Sequence, residues 1–157
     1  MGTGNVILEA IGLAAMIVAK NRKPDFVIGG EDAPYLRRWF VREEGPSGGC
    51  YLHQILRDDD DRALHDHPWD AMFYIIEGSY REITPEHPDG IVYGPGSFRH
   101  VKAEQSHRLV VVDGPVWTLA FLGPRRREWG FHCPNGWRHW KEFVSDRDKG
   151  MVGKGCE

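Results

Sequence analysis

The sequence predicts an all-β fold, a sandwich or barrel of short antiparallel strands. Two observations carry this expectation. Runs rich in Val, Ile, Phe, Tyr and Trp recur along the chain from Ala33 onward, and such residues favour a pleated, half-buried surface. Turn signals separate the runs, among them Gly-Pro and Asp-Gly pairs. No helical period competes outside one N-terminal segment.

That segment, "VILEAIGLAAMIVA" (Val6 to Ala19), reads as a helix packing on the domain or on a second copy of the chain. Its 14 residues carry Glu9 and are too few to span a bilayer. No Lys or Arg precedes it, so a secretory signal is not expected. Met16 is an alternative natural start, with the preceding residues an extension. Then come "YLRRWFVRE", closed by "GPSGG", and "CYLHQILR", closed by the aspartate run Asp58 to Asp61. "AMFYIIEG" leads into "SYREIT" and the turn "PEHPDG". "IVYGPGSFRHVKA", "HRLVVV" and "VWTLAFLG" complete the strands. The aromatic stretch "WGFHCPNGWRHWKEF" is expected to wrap the barrel, with a lid over part of it as the alternative. This divides the chain into an N-terminal helix and linker (1–32), a barrel with its wrap (33–145) and a flexible tail (146–157).

Composition narrows the function classes. A chain of 157 residues suits one domain, and 41% hydrophobic with 27% charged residues is ordinary for a globular protein. A net charge of -3 argues against broad nucleic-acid binding. The basic run "GPRRREW" reads as a solvated surface, with a bound anion as the alternative. Cys50, Cys133 and Cys156 form no CxxC pair and leave an odd thiol, which fits a reducing, cytoplasmic setting better than a disulfide framework.

The chemistry concentrates in "LHDHPWDAMFYIIEG". Residues i and i+2 of a strand face one side, so His65 and His67 point together while Asp66 points away. Two imidazoles on one face offer two nitrogens to a single ion. The bland alternative is a pair of strand-edge histidines bonded to Asp66 or to the aspartate run, itself read as a solvated turn. Trp69, directly after Pro68, either closes one side of a pocket or joins the core. Arg62 is balanced between an ion pair and a substrate contact. His53 and His100 are ambiguous, while His87, His132 and His139 read as surface groups.

This segment resembles the first motif of the cupin superfamily, an HxH followed by an apolar strand ending in glycine, here His65, His67 and Gly78. The motif's glutamate position falls on Ala71, and Asp59 stands at its opening glycine. The second cupin motif resembles "GPGSFRHVKAEQSHRL", with Gly96 as its opening glycine and His107 eleven residues later. Lys102, Glu104 and Val111 replace its proline, second glycine and asparagine. The likeness covers roughly residues 50 to 122.

The resemblance implies a double-stranded β-helix, or jelly-roll barrel, with a short N-terminal helix and an aromatic C-terminal wrap. It implies His65, His67 and His107 as ligands of a divalent transition metal, Fe(II) or Zn(II). For the missing glutamate it leaves a three-histidine site, a carboxylate from elsewhere, or no metal. Its pattern places Tyr80 and Glu82 on the inner face, as proton-transfer groups or, for Glu82, a ligand or an ion pair with Arg62 or Arg108. His100, Arg62 and Trp69 are candidate substrate contacts. The function implied is a small metal-dependent enzyme on a small polar molecule, an oxygenase before a Zn-dependent lyase or isomerase. The alternatives are a non-catalytic binding or sensing module and a metal-free isomerase or epimerase using a His–carboxylate pair. A homodimer is expected, with neither nucleic acid nor membrane as partner.

Overall fold

The computed structural model describes residues 3–30, 32–59, 63–147 and 151–157, with side chains from residue 6 onward. The chain has a cupin-type β fold with a helix at its N-terminus. Helix α1 (Thr3–Lys20) precedes β1 (Phe26–Ile28), β2 (Leu36–Gly45), β3 (Gly48–Ile55) and β4 (Leu64–His65). There follow β5 (Ala71–Ile83), β6 (Ile91–Tyr93), β7 (Phe98–Val101) and β8 (Arg108–Leu122). The C-terminal part forms β9 (Gly130–Cys133), β10 (Gly136–His139) and the single turn α2 (Trp140–Phe143).

The larger sheet runs β1-β2-β3-β8-β5-β6, with β7 also paired to β5, and the smaller runs β10-β9-β4. β5 shares one edge with β8 and divides the other between β7, opposite Ala71 to Tyr74, and β6, opposite Tyr80 to Glu82. A register slip around Glu77 to Tyr80 makes this division possible. Ile75 faces inward before the slip and Tyr80 after it, so the inward set changes from odd to even residues. Gly78 sits at the slip with φ +75°, and a Cβ there would lie 2.6 Å from the Asp113 carbonyl oxygen.

The two faces of the large sheet bury different partners. Met16 and Ala19 of α1 pack on Trp39, Leu52, Tyr74, Ile76, Trp117 and Leu119 of the outer face. On the inner face, Leu36, Ile55, Ile75, Tyr80 and Val116 pack together, and Leu36, Ile55 and Tyr80 of this cluster line a cavity. The small sheet and α2 cover that cavity. Phe143, fully buried, stacks on Phe131 with ring centroids 3.7 Å apart.

One expectation is corrected here, that of cysteines without a disulfide. Residues 26–28 form the edge strand β1. Near the C-terminus Val152 bridges Val144, and Gly153 donates its N–H to the Phe143 carbonyl at 2.9 Å. Cys156 forms a disulfide with Cys133, their Cα atoms 5.4 Å apart and so within bonding reach. Only Cys50 is a free thiol. The odd cysteine count concealed one pair closed by the returning tail.

Gly78→Ala is expected to lower the unfolding free energy by about 1–3 kcal/mol, because the new side chain forces a left-handed backbone against two carbonyls. Urea unfolding of the variant beside the wild type measures this, and an unchanged midpoint contradicts it.

Candidate metal centre

His65, His67 and His107 converge because three backbone pairings hold them. His65 and His107 face each other across an antiparallel bridge, each donating its N–H to the other's carbonyl, at 2.8 and 2.9 Å. His67 donates its N–H to the Ala103 carbonyl at 3.0 Å. The ring centroids lie 4.8 Å apart for His65 and His107, and 5.0 Å for each other pair. One nitrogen from each ring falls within 4.8 Å of the others, and the Nε2 atoms of His67 and His107 are 2.8 Å apart.

The electrostatics suit ligands. Burial pushes the His65 imidazole down to about 4, although Asp59 opposes the shift. Burial, with His65 and His107 alongside, pushes His67 well below the ordinary histidine range. Both rings are therefore neutral at neutral pH, with a lone pair to offer.

Each ring has a support behind it. Glu82 Oε1 accepts from His107 Nδ1 at 2.5 Å, and its other oxygen accepts from Arg99 Nε. A carboxylate only accepts, so the His107 proton stays on Nδ1 and Nε2 presents a lone pair to the cavity. Burial alone raises the Glu82 carboxyl, but the bonds from His107 and Arg99 bring it below its ordinary value. The Asp59 carboxylate lies 3.6 Å from His65 Nδ1. It also accepts from the Tyr35 hydroxyl, and from the Leu109 N–H at 2.7 Å. Trp69 stacks on His67, centroids 4.8 Å apart and planes 11° apart.

Asp66, between the two HxH histidines, points away from them into the C-terminal wrap and is 1% exposed. It accepts from the Gly130 N–H at 2.8 Å, Trp137 Nε1 at 2.9 Å and His132 Nε2 at 3.0 Å, with Arg127 at 3.2 Å. One buried carboxylate thus fastens the wrap to the segment that carries His65 and His67. His132 is exposed, as a surface group, and its ring also reaches this anchor.

The remaining candidates divide. Tyr80 and Trp69 line the cavity. Burial pushes the Tyr80 phenol up, with Glu82 adding to the effect, so it keeps its proton. Glu82 is buried as expected of an inner-face residue, but its partners are His107 and Arg99 rather than Arg62 or Arg108. With both oxygens engaged, Glu82 is placed to position the His107 ring. His100 is exposed on β7, one residue out of phase with the inward Arg99, and does not reach the cavity. Arg62 lies outside the described residues, as do Asp60 and Asp61.

The reading of the aspartate run as a solvated turn fails for Asp59, which is partly buried and accepts from the Leu109 N–H, while the exposed Asp58 accepts from the Val111 N–H. The three arginines of "GPRRREW" are not simply solvated either. Arg125 pairs with Glu128, Arg126 with Asp70 and Glu104, and Arg127 with Asp66. Sequence reasoning missed Asp59, Asp66 and Arg99. No spacing rule marks them, because each works through a partner remote in sequence.

The cluster opens into a cavity of about 760 Å³ walled by Phe73, Trp129, Phe131 and Trp140 among others. That volume suits a small-molecule ligand.

No family model and no curated protein matches this chain. Solved structures do. The Fe(II) form of HppE superposes with a TM-score of 0.51 at 16% identity, over 66% of this chain and 57% of that one. The DMSP lyase DddQ from Ruegeria pomeroyi gives 0.50 at 18% identity, over 65% and 54%. KdgF from Halomonas sp. gives 0.49 at 17% identity, over 65% and 96%. The match thus spans little more than half of the HppE and DddQ chains, and at these identities it establishes the fold. Among the described residues no helix is long and apolar enough to cross a membrane.

Asp66→Asn is expected to destabilise the chain by about 1–3 kcal/mol, since a neutral amide cannot accept from all four donors. Amide exchange should rise first in β9 and β10. Faster exchange spread evenly over the large sheet would show that Asp66 does not anchor the wrap.

Proposed function

We propose that the chain is a metal-dependent enzyme acting on a small molecule, with His65, His67 and His107 as the ligands. The convergence of three imidazole nitrogens within 4.8 Å on the wall of a cavity carries this reading. The donor set fits a first-row divalent metal. Imidazole suits Fe(II) and Zn(II), and the fold neighbours include an Fe(II) protein. An ion held there supplies Lewis acidity and open positions, with dioxygen chemistry available to Fe(II) and polarisation of water or a carbonyl to Zn(II). An oxygenase is the preferred class.

The chain's own groups account for the rest. Glu82 holds His107 in the ligand tautomer, and Arg99 keeps Glu82 ionised. Trp69 fixes the plane of His67. Tyr80 presents a protonated phenol as a hydrogen-bond donor to bound substrate. Trp129, Phe131 and Trp140 exclude water from the far wall. The substrate is a small polar molecule. A second copy of the chain is the partner we favour for the exposed apolar face of α1, including Ile7 and Ile17.

A second reading draws on one specific observation. The buried His107–Glu82 pair is the acid–base couple that a metal-free isomerase needs. Metal analysis separates the two. His65→Ala and His107→Ala are expected to abolish retention of Fe(II) or Zn(II), with His87→Ala retaining wild-type content. Glu82→Gln is expected to fold and to bind metal about 10–100-fold more weakly. A wild-type protein that takes up neither metal leaves the isomerase reading standing.

A further inference from the structure

The inner face of the large sheet carries a polar row next to the hydrophobic cluster. Arg38 on β2 pairs with His53 on β3, which pairs in turn with Thr118 on β8. The rows on either side are Leu36–Ile55–Val116 and Phe40–Tyr51–Ala120. Arg38, His53 and Thr118 all line the cavity that holds the three imidazoles. Polar groups placed inside such a wall cost stability unless something bonds to them.

The hydrogen-bonding arithmetic leaves donors over. Arg38 Nε donates to His53 Nε2 at 2.9 Å. A guanidinium has no acceptor, so His53 Nε2 accepts and the ring proton sits on Nδ1. Burial and the charge of Arg38 keep this imidazole neutral. Thr118 is 1% exposed, and its hydroxyl has no partner among the described residues. The Arg38 guanidinium lies over the Tyr51 ring, 4.7 Å from its centroid, with no carboxylate in ion-pair range among the described residues. Glu44 also lines the cavity, but it is exposed and accepts from the Tyr51 hydroxyl at 3.2 Å. The row therefore offers a cation and two neutral donors on three adjacent strands.

We propose that Arg38, His53 and Thr118 form an anion subsite, binding the carboxylate or similar oxyanion of a small molecule whose other end reaches the three histidines. The outer edge of the guanidinium matches a carboxylate in two-point fashion. The Thr118 hydroxyl and His53 Nδ1–H complete the donor set. This inference rests on the cavity being the ligand site proposed above, and it narrows the substrate class to small anionic molecules.

The test titrates the full-length protein with succinate, methylphosphonate and uncharged succinamide, before and after metal loading. Succinate is expected to bind and succinamide not. Arg38→Gln should weaken succinate binding by about tenfold or more, the loss typical of a charge-assisted contact. Thr118→Val, which keeps the shape, should weaken it several-fold. Metal content should match the wild type in both variants. Methylphosphonate binding more tightly than succinate, with the same dependence on Arg38, would keep the subsite and make its oxyanion a phosphonate. Absence of binding by either anion, equal affinity in Arg38→Gln, or loss of binding only in His65→Ala/His67→Ala would overturn the subsite. If Arg38→Gln fails to fold, Thr118→Val decides, and undiminished succinate binding there overturns the proposal. Anion binding that depends on Arg38 in a protein that retains no metal would instead sink the metal reading and leave the subsite standing.

Discussion

The reciprocal backbone pair between His65 and His107 joins the end of β4 to the approach of β8. Those strands belong to different sheets, so this single bridge ties the small sheet to the large one at the point where the site lies. Directly opposed residues on an antiparallel pair bring their side chains close together. Two imidazoles are thereby held side by side without any help from their own rings. His67 follows two residues after His65 and adds the third ring. The geometry of the centre is a consequence of sheet pairing.

Buried carboxylates then turn geometry into chemistry. Glu82 reaches His107 from the far half of β5, which faces inward only because the strand slips register at Gly78. Asp59 stands beside His65, and Asp66 turns outward to lock the aromatic wrap in place. An acid buried so deeply is costly unless its oxygens are occupied, and here each has two or more partners. A direct carboxylate ligand is missing from the HxH segment. The acids have been placed behind the site, where they orient it.

Much of the fold was legible in the sequence because alternation, β-branched and aromatic runs and Gly-Pro turns are local signals. The three histidines were legible for the same reason, two by i, i+2 spacing and one by its distance from Gly96. The inner position of Glu82 followed from counting past Gly78, but its partner Arg99 lies on β7 and no count reveals an ion pair between strands. His100 was read one residue out of phase with that arginine. Asp59 looked like part of a solvated turn because acidic runs usually are, and the Leu109 N–H group, fifty residues on, explains its burial. The Cys133–Cys156 link was hidden by an odd cysteine count and by a tail whose return has no sequence marker. The row Arg38–His53–Thr118 depends on register across three strands, which one-dimensional spacing does not contain.

The fold is shared with proteins of unrelated chemistries, so the account stands or falls on the site itself. The most direct measurement is X-ray absorption spectroscopy of the full-length protein loaded with Fe(II) or Zn(II). The account predicts a coordination sphere containing three imidazoles, reduced in number when His107 is replaced by alanine. An ion with fewer than two imidazoles, or a sphere unchanged by that replacement, would contradict it.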